Sequence, residues 1–186
     1  MEKNAVYFQD GELKAESGQV RAYELNNEFY LDHGDDHKLI DKDEYVVDYI
    51  WQIRDKPFGK CLILGMGLGR VAEYILSVPK VTSVVVVEPN SDVLNVQREL
   101  ETVEDSDSHD ITIINDDILS YLYLTEDRFD FVFLKCYSEV NEDTLPLIAD
   151  VVKASKRVTT HDGNIVGWLN DNTEEIFIST FFDLFN

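Results

Sequence analysis

Three glycines and one glutamate in this sequence have the types and spacing of a nucleoside-binding site. Gly65, Gly67 and Gly69 follow a short apolar run at residues 61–64 and precede a predicted helix. Glycine lets the backbone turn tightly and approach a ligand closely, and the helix that follows directs its amide end towards that ligand. Glu88 ends the next predicted strand, 23 residues after Gly65, where a carboxylate can accept hydrogen bonds from both hydroxyls of a ribose.

Alternating strands and helices are predicted to hold these residues in place. The predicted strands cover residues 61–64, 81–87, 111–114, 129–134 and 164–169, and the predicted helices cover about residues 70–77, 91–101, 118–123, 143–157 and 174–185. This alternation implies right-handed crossovers and a mostly parallel sheet, and the nearly continuous apolar strands indicate helices on both faces. The predicted fold class is therefore α/β: a Rossmann-like, mostly parallel, doubly wound sheet with its ligand site at the carboxyl ends of the strands.

The first 40 residues follow a different pattern, with short β segments separated by turn signals. Residues 10–11 are Asp-Gly and residues 26–27 are Asn-Asn, and both pairs favour tight turns between strands. A β segment of this size buries little by itself, so we expect it to pack on the following segment or on another subunit. We therefore predict a small β-rich N-terminal segment at residues 1–40 and a Rossmann-like domain at residues 41–186.

The composition disfavours a nucleic-acid partner. The 186 residues include 37 acidic and 16 basic side chains, which gives a formal net charge of −21, and such a chain repels a phosphate backbone. The densest basic cluster, Lys153, Lys156 and Arg157, is short and is interpreted as the solvated end of a helix. The acidity is compatible with a cationic substrate such as a polyamine but does not imply one.

Neither a membrane segment nor a metal site is predicted. No stretch approaches the roughly 18 apolar residues of a membrane span, and the N-terminus lacks the apolar run of a signal peptide, so a cytoplasmic location is expected. Cys61 and Cys136 lie in or beside apolar runs without zinc-ligand spacing. Residues 33–37 contain two histidines and two aspartates, but their close spacing favours a solvated turn over a metal site.

Three further features are interpreted as structural. Trp51 lies within a predicted helix at residues 42–54, and we expect it and Trp168 to be core or pocket-wall residues. Residues 161–163, His-Asp-Gly, are expected to form a polar turn.

The glycine loop resembles motif I of class I S-adenosylmethionine-dependent methyltransferases. Its glycines form a GxGxG pattern, and Glu88 follows a run of four valines. The resemblance implies that the three glycines and Glu88 bind S-adenosylmethionine or its decarboxylated form. It also implies that Asp116, after the third core strand, lies beside the adenine amino group. Asp117 is a second candidate there, and it could equally cap the helix predicted at residues 118–123.

One subfamily is more similar still. Residues 30–32, Tyr-Leu-Asp, and residues 43–45, Asp-Glu-Tyr, look like the N-terminal part of spermidine synthases. Those enzymes also carry a small β-domain ahead of the Rossmann-like domain. In them, an Asp-rich segment after the fourth strand supplies the base that deprotonates the attacking amine. The expected aspartates fall here on Lys135 and Ser138.

Two side chains after the fourth core strand are the catalytic candidates. Tyr137 and Glu139 stand where such methyltransferases place substrate-contacting groups. Glu139 could take a proton from an amine or hydroxyl nucleophile, and it could equally be a surface glutamate. Lys135 could neutralise Glu88 or Asp116, hold an anionic substrate group, or pair with a surface carboxylate.

The leading hypothesis is a small-molecule transferase that uses S-adenosylmethionine or its decarboxylated form. Methyl transfer is favoured because a sulfonium methyl needs positioning more than it needs a strong base. The acceptor is expected to be a small molecule, and an amine fits the acidic composition. Aminopropyl transfer is the enzymatic alternative, and a non-catalytic nucleoside-binding or interaction protein of the same fold is the other. The β segment and an incomplete sheet edge are compatible with a homodimer.

Overall fold

The chain forms two β-sheets and a set of connecting helices. The computed structural model describes residues 11–34, 39–42, 49–100, 110–137, 139–169 and 173–186. The strands are β1 (Glu12–Ser17), β2 (Val20–Leu25), β3 (Glu28–Asp32), β4 (Leu39–Lys42), β5 (Gly59–Leu64), β6 (Val81–Val87), β7 (Asp110–Ile114), β8 (Phe129–Leu134) and β9 (Thr159–Gly167). The helices are α1 (Arg70–Ser77), α2 (Ser91–Glu99), α3 (Ile118–Leu124), α4 (Leu145–Val158) and α5 (Glu175–Phe185), and residues 49–53 are also helical. None of these described helices is long and apolar enough to cross a membrane.

The larger sheet has five parallel strands in the order β7-β6-β5-β8-β9. The chain runs outward from β5 through β6 to β7, then returns to the other side of β5 with β8 and β9. Right-handed crossovers in opposite directions place their helices on opposite faces of the sheet. The order of the strands reverses between β5 and β8, the position at which such sheets bind ligands. The predicted α/β, Rossmann-like class is confirmed.

Three apolar runs form the centre of this sheet. Residues 61–64 of β5, 84–87 of β6 and 131–134 of β8 are almost completely buried. Strands covered by helices on both faces have no polar side to present to water, which explains why their sequences do not alternate. These three strands fix the ends from which the candidate site residues project.

The smaller sheet is antiparallel, with the order β1-β2-β3-β4. Asn26 and Asn27 join β2 to β3, both with positive φ, 56° and 65°, so the tight turn predicted there is confirmed. The sheet packs on α2, and Ser17 Oγ donates a hydrogen bond to Asp92 Oδ1 at 2.7 Å. The expectation that this segment packs on the following part of the chain is therefore confirmed. The other turn, predicted at residues 10–11 after a first strand, begins outside the described residues.

The prediction for Trp51 is wrong. Trp51 is 66% exposed, and the guanidinium carbon of Arg54 lies 4.6 Å from the centroid of its ring. Tyr49 and Ile53 of the same helical segment are buried. Residues two apart do not share a helix face, so a helix that buries Tyr49 turns Trp51 outward. The part of this helix predicted at residues 43–48 lies outside the described residues.

The polar turn predicted at residues 161–163 is also wrong. These residues belong to β9, where the register with β8 shifts: Phe129 pairs with Thr159, and Phe131 pairs with Asn164. The extra residues of β9 are accommodated as a bulge, in which a strand carries unpaired residues without ending. The pairs on either side, at Thr159 and at residues 164–167, keep the segment within the strand.

Candidate functional site

The carboxyl end of β5 turns sharply through the glycine loop. Gly65, Gly67 and Gly69 have φ values of 104°, 55° and 81°, the region that favours glycine. A Cβ at Gly65 would collide with the carbonyl oxygen of Lys135, so the chain after β8 packs directly against the loop. Gly69 is the N-cap of α1, and the loop therefore leads straight into the amide end of that helix, as predicted.

Glu88 ties the glycine loop to the end of β6. Its Oε2 accepts a hydrogen bond from the backbone N–H of Met66 at 2.8 Å, and its Oε1 accepts one from the N–H of Asn90 at 2.9 Å. The residue is only 7% exposed. Burial raises the pKa of Glu88 above its ordinary value, while the two N–H groups and the positive charge of Lys135 act in the opposite direction. A carboxylate has about four acceptor positions, so each oxygen retains acceptor capacity beyond its backbone bond.

Two asparagines fix the turn that follows Glu88. Asn90 Oδ1 accepts a hydrogen bond from the N–H of Asp92 at 2.9 Å and so caps α2. Asn115 Nδ2 donates to the carbonyl oxygens of Glu88 and Pro89, at 2.8 and 3.1 Å. Neither asparagine was identified from the sequence as a site residue. The available signal was a polar residue directly after a buried strand.

A cavity of about 370 Å³ opens at the carboxyl ends of β5, β6 and β8. Its lining includes Gly65, Gly67 and Glu88, which follow β5 and β6, and Lys135 and Tyr137, which follow β8 on the other side of β5. The volume lies within the range of small-molecule pockets, about 300–1,000 Å³. The structure thus brings together four of the residues singled out from the sequence, with Lys135 as a fifth. Gly69 does not line the cavity, but it shapes the loop that does.

Apolar surface and one histidine complete the lining. Pro89 and Ile118 lie on the side of β6 and α3, and Leu147 lies on α4. His33, at the end of the smaller sheet, also lines the cavity. The sequence prediction treated residues 33–37 as a solvated turn and did not connect His33 with this site, because nothing local indicates which part of the larger sheet it meets.

Tyr137 forms a fixed wall of the cavity. Its hydroxyl donates to the carbonyl oxygen of Trp168 at 2.9 Å, and Trp168 Nε1 donates to the carbonyl oxygen of Tyr137 at 3.2 Å. The two rings are stacked, with centroids 6.0 Å apart and an interplanar angle of 2°. Burial raises the pKa of Tyr137 well above its ordinary value. The phenol is therefore neutral, engaged and held in place. Trp168 is a buried core residue, one of the two positions predicted for it.

Cys136 is a protonated thiol at neutral pH. Burial raises its pKa to about 12, and a thiol rather than a thiolate is a poor nucleophile. Cys136 lines the cavity, so its contribution there is apolar contact.

The remaining predicted residues lie at the edge of the site or outside it. Asp116 is exposed, and its Oδ1 accepts a hydrogen bond from the N–H of Asp117 at 2.8 Å. Asp117 Oδ1 accepts one from the N–H of Ser120 at 2.8 Å and is the N-cap of α3. Glu139 is exposed. None of the three acidic residues lines the cavity, so their predicted roles in cofactor binding and catalysis stay predictions.

Metal-binding clusters are absent from the part of the chain that the structure describes. No group of three or more His, Cys, Asp or Glu side chains there could hold a metal ion. Residues 35–38, which include the second histidine of the cluster predicted as a solvated turn, lie outside the described residues.

The arrangement has the features that a nucleoside requires. A buried carboxylate offers acceptor capacity for two adjacent hydroxyls, the glycine loop admits a close approach of the ligand, and Pro89 and Ile118 supply apolar surface for a base. The N-terminus of α1 adds a partial positive charge at the loop. These groups are held by backbone hydrogen bonds, so the site is formed before any ligand arrives.

Comparison with known proteins identifies the fold. No protein-family profile matches the sequence, and no curated protein sequence matches it either. Among solved structures, the spermidine synthase from Thermotoga maritima is similar over 95% of this chain and 61% of its own, with 14% identity and a TM-score of 0.63. A spermidine synthase in complex with the transition-state analogue AdoDATO is similar over 92% of this chain and 60% of its own, with 14% identity and a TM-score of 0.59. TrmN from Thermus thermophilus is similar over 66% of this chain and 36% of its own, with 15% identity and a TM-score of 0.51.

The likeness includes both sheets, since it extends over almost the whole chain for the two spermidine synthases. The chain spans less than two thirds of the length of these proteins. At identities of 14–15%, the similarity establishes architecture and not activity. The chain therefore shares the fold of these two spermidine synthases over both of its sheets.

Proposed function

We propose that the chain binds an S-adenosyl cofactor in the cavity beside Glu88 and transfers its methyl group to a small-molecule acceptor. The observation that carries the proposal is the preformed state of Glu88. Both its oxygens are positioned by backbone N–H groups while the residue lines the cavity. Burying a carboxylate costs free energy unless it has such partners. Here the same partners orient the carboxylate so that it could accept hydrogen bonds from a ligand.

The residues of the cavity would act by positioning. Bound S-adenosylmethionine supplies a methyl group activated by its sulfonium, which leaves as a neutral thioether. Glu88 would hold the ribose, and the glycine loop would let the nucleoside approach the backbone. The ring of Tyr137 lines the cavity at the end of β8 and is backed by the stacked ring of Trp168, so an acceptor could be oriented against it. Orientation of this kind can supply a large part of a rate acceleration.

Methyl transfer suits this cavity better than a reaction that needs a carboxylate base. Among the described residues that line it, Glu88 is the only carboxylate, and the proposal uses Glu88 for the ribose. The hydroxyl of Tyr137 is engaged with Trp168. An acceptor that carries a lone pair at neutral pH would require neither group as a base, and its proton would pass to solvent.

Titration calorimetry tests the cofactor. We expect S-adenosylmethionine, S-adenosylhomocysteine and methylthioadenosine to bind, and Glu88→Gln to weaken all three about tenfold or more, because a hydroxyl would lose its charged acceptor. Asp130→Asn is the matched control. Asp130 also accepts hydrogen bonds from the backbone and from a side chain, but it lies at the amino end of β8. Failure of all three nucleosides to bind would rule out the proposal.

The second candidate is a non-catalytic nucleoside-binding protein. It is supported by the engagement of the Tyr137 hydroxyl and by the exposed position of Glu139. Incubation with methyl-labelled S-adenosylmethionine and a panel of small amines, alcohols and carboxylates separates the two candidates. Transfer of label that is lost in Glu88→Gln favours the enzyme, whereas tight binding without transfer favours the binding protein.

A further inference from the structure

The cavity carries one lysine opposite its one carboxylate. Of the described residues that line it, Lys135 is the one lysine or arginine, Glu88 is the one carboxylate, and His33 is the one imidazole. Lys135 follows directly after β8, and its backbone N–H donates to the carbonyl oxygen of Leu64 at 2.8 Å. The sheet therefore fixes where its side chain begins. A cation at this point is notable in a chain with a formal net charge of −21.

Aromatic rings hold the ammonium group of Lys135 near the cavity. Its Nζ lies 5.4 Å from the centroid of the Tyr49 ring, a cation–π contact. Tyr49 is buried and packs edge-on against Trp168, with centroids 5.0 Å apart. Trp168 in turn stacks on Tyr137. The ammonium group thus lies against the ring of Tyr49, which packs on other aromatic rings. An ammonium group carries three N–H donors.

The position of Lys135 relative to Glu88 indicates which part of a bound nucleoside its ammonium group would meet. Gly65 lies between the ends of β6 and β8, because β5 is the strand between them. A nucleoside whose ribose is bound by Glu88 would extend its 5′ substituent across Gly65 towards β8, where Lys135 lines the cavity. In S-adenosylmethionine that substituent ends in an ammonium and a carboxylate. In the decarboxylated form it ends in the ammonium alone.

The geometry points to Lys135 as the residue that binds the carboxylate of S-adenosylmethionine and rejects the decarboxylated cofactor. This inference rests on the proposed function. S-adenosylmethionine carries a net charge of +1 and offers Lys135 an anionic partner. Decarboxylated S-adenosylmethionine carries a net charge of +2 and brings only like charges towards it. The same repulsion acts on a diamine acceptor, so the site selects methyl transfer over aminopropyl transfer although the fold is shared with spermidine synthase.

Calorimetry with matched ligands tests this specificity. The wild-type chain should bind S-adenosylmethionine about 10- to 100-fold more tightly than the decarboxylated form, the range of one hydrogen bond between charged groups. Lys135→Met keeps an unbranched apolar stem and removes the charge, and Lys135→Gln is a second neutral variant. Both should abolish most of the preference, while Lys135→Arg should retain it. Methylthioadenosine lacks the amino-acid tail, so its affinity should be the same in every variant.

Lys60→Met is the control for removing a lysine from an aromatic ring. Lys60 Nζ lies 5.3 Å from the centroid of the Phe129 ring and 2.9 Å from Asp127 Oδ2. It belongs to the same sheet but does not line the cavity. This variant should keep the wild-type preference for S-adenosylmethionine.

Two results would overturn the inference and leave the proposed function intact. One is equal affinity of the wild-type chain for the two cofactors, with methylthioadenosine bound. The other is a preference that survives in both neutral variants, which would place the carboxylate elsewhere. Failure of methylthioadenosine and of both cofactors to bind would overturn the proposed function and this inference together.

Discussion

The two ends of β5 and β8 carry the same kinds of groups, but among the described residues the larger cavity opens at the carboxyl end. At the amino end, Asp130 of β8 accepts hydrogen bonds from the N–H of Lys60 at 2.9 Å and from Thr160 Oγ1 at 3.0 Å. Gly59 has φ 59°, and a Cβ there would collide with the Asp130 carboxylate. A lysine, a carboxylate and a positive-φ glycine thus pack against one another at this end of the sheet.

At the carboxyl end, Gly65, Glu88 and Lys135 are the corresponding groups. Glu88 also accepts two hydrogen bonds, but it lines a cavity of about 370 Å³. The difference arises from the chain path. The strand order reverses between β5 and β8, so the connections that leave their carboxyl ends diverge to opposite faces and leave a crevice. Similar chemical groups therefore border a larger cavity only where the chain diverges around them.

The largest difference between the two ends should come from their glycines. Gly65 has φ 104°, and Gly65→Ala would force a Cβ against the backbone at Lys135. We expect the free energy of unfolding to fall by about 2–4 kcal/mol and nucleoside binding to be abolished. Gly59→Ala has φ 59° and meets a side chain, so it should cost about 1–2 kcal/mol and leave binding intact. Urea unfolding and calorimetry measure both. Nucleoside binding that persists in Gly65→Ala would contradict the proposed role of the loop.

The carboxylates should come next. In Glu88→Gln, one buried N–H would face an amide N–H₂ instead of an oxygen, at a cost of about 1–3 kcal/mol in the free energy of unfolding. Asp130→Asn should destabilise the chain by a similar amount, for the same reason. Only Glu88→Gln should also weaken nucleoside binding. Equal losses of affinity in both variants would mean that nucleoside binding depends only on the stability of the fold. That result would contradict a specific role for Glu88.

Asp117 tests whether the site extends beyond the cavity. Hydrogen bonds from Ser120 lower the pKa of Asp117, which is the N-cap of α3. Asp117→Ala should reduce the free energy of unfolding by about 1 kcal/mol, and Asp117→Asn, which keeps a capping oxygen, by much less. Neither should change nucleoside affinity measured by calorimetry. A loss of affinity in both would restore the role in cofactor binding that the sequence suggested for this residue.

The smallest effect should be a dependence on pH. Burial raises the pKa of Glu88 in the folded chain above its value in the unfolded chain, so the folded state binds this proton more tightly. The resulting stability is present at low pH and is lost as the pH rises through the raised pKa. Nucleoside affinity should change in the opposite sense and fall as the pH decreases through that pKa, because the charged form is the better acceptor. The differences between wild type and Glu88→Gln across the pH range isolate both effects, and parallel curves would contradict them.

Much of the fold could be predicted because its signals are local. The apolar runs of β5, β6 and β8 identified the strands, the asparagines at 26–27 identified a turn, and the glycine loop and Glu88 indicated the end of the sheet where the cavity opens. Trp51 was misplaced because its exposure depends on which face of a short helix meets the core. The bulge at residues 161–163 was missed because pairing with β8 decides it, and that pairing is not local.

The sequence by itself determined the fold class, the strand ends and the glycine loop with its carboxylate, since each follows from hydrophobic runs and from backbone conformations that glycine allows. Only the tertiary structure decided which groups meet. It placed Lys135 across Gly65 from Glu88, engaged the hydroxyl of Tyr137 with Trp168, brought His33 to the cavity and left Glu139 exposed. These outcomes depend on strand order and on packing between segments far apart in the chain, which no local pattern of residues encodes.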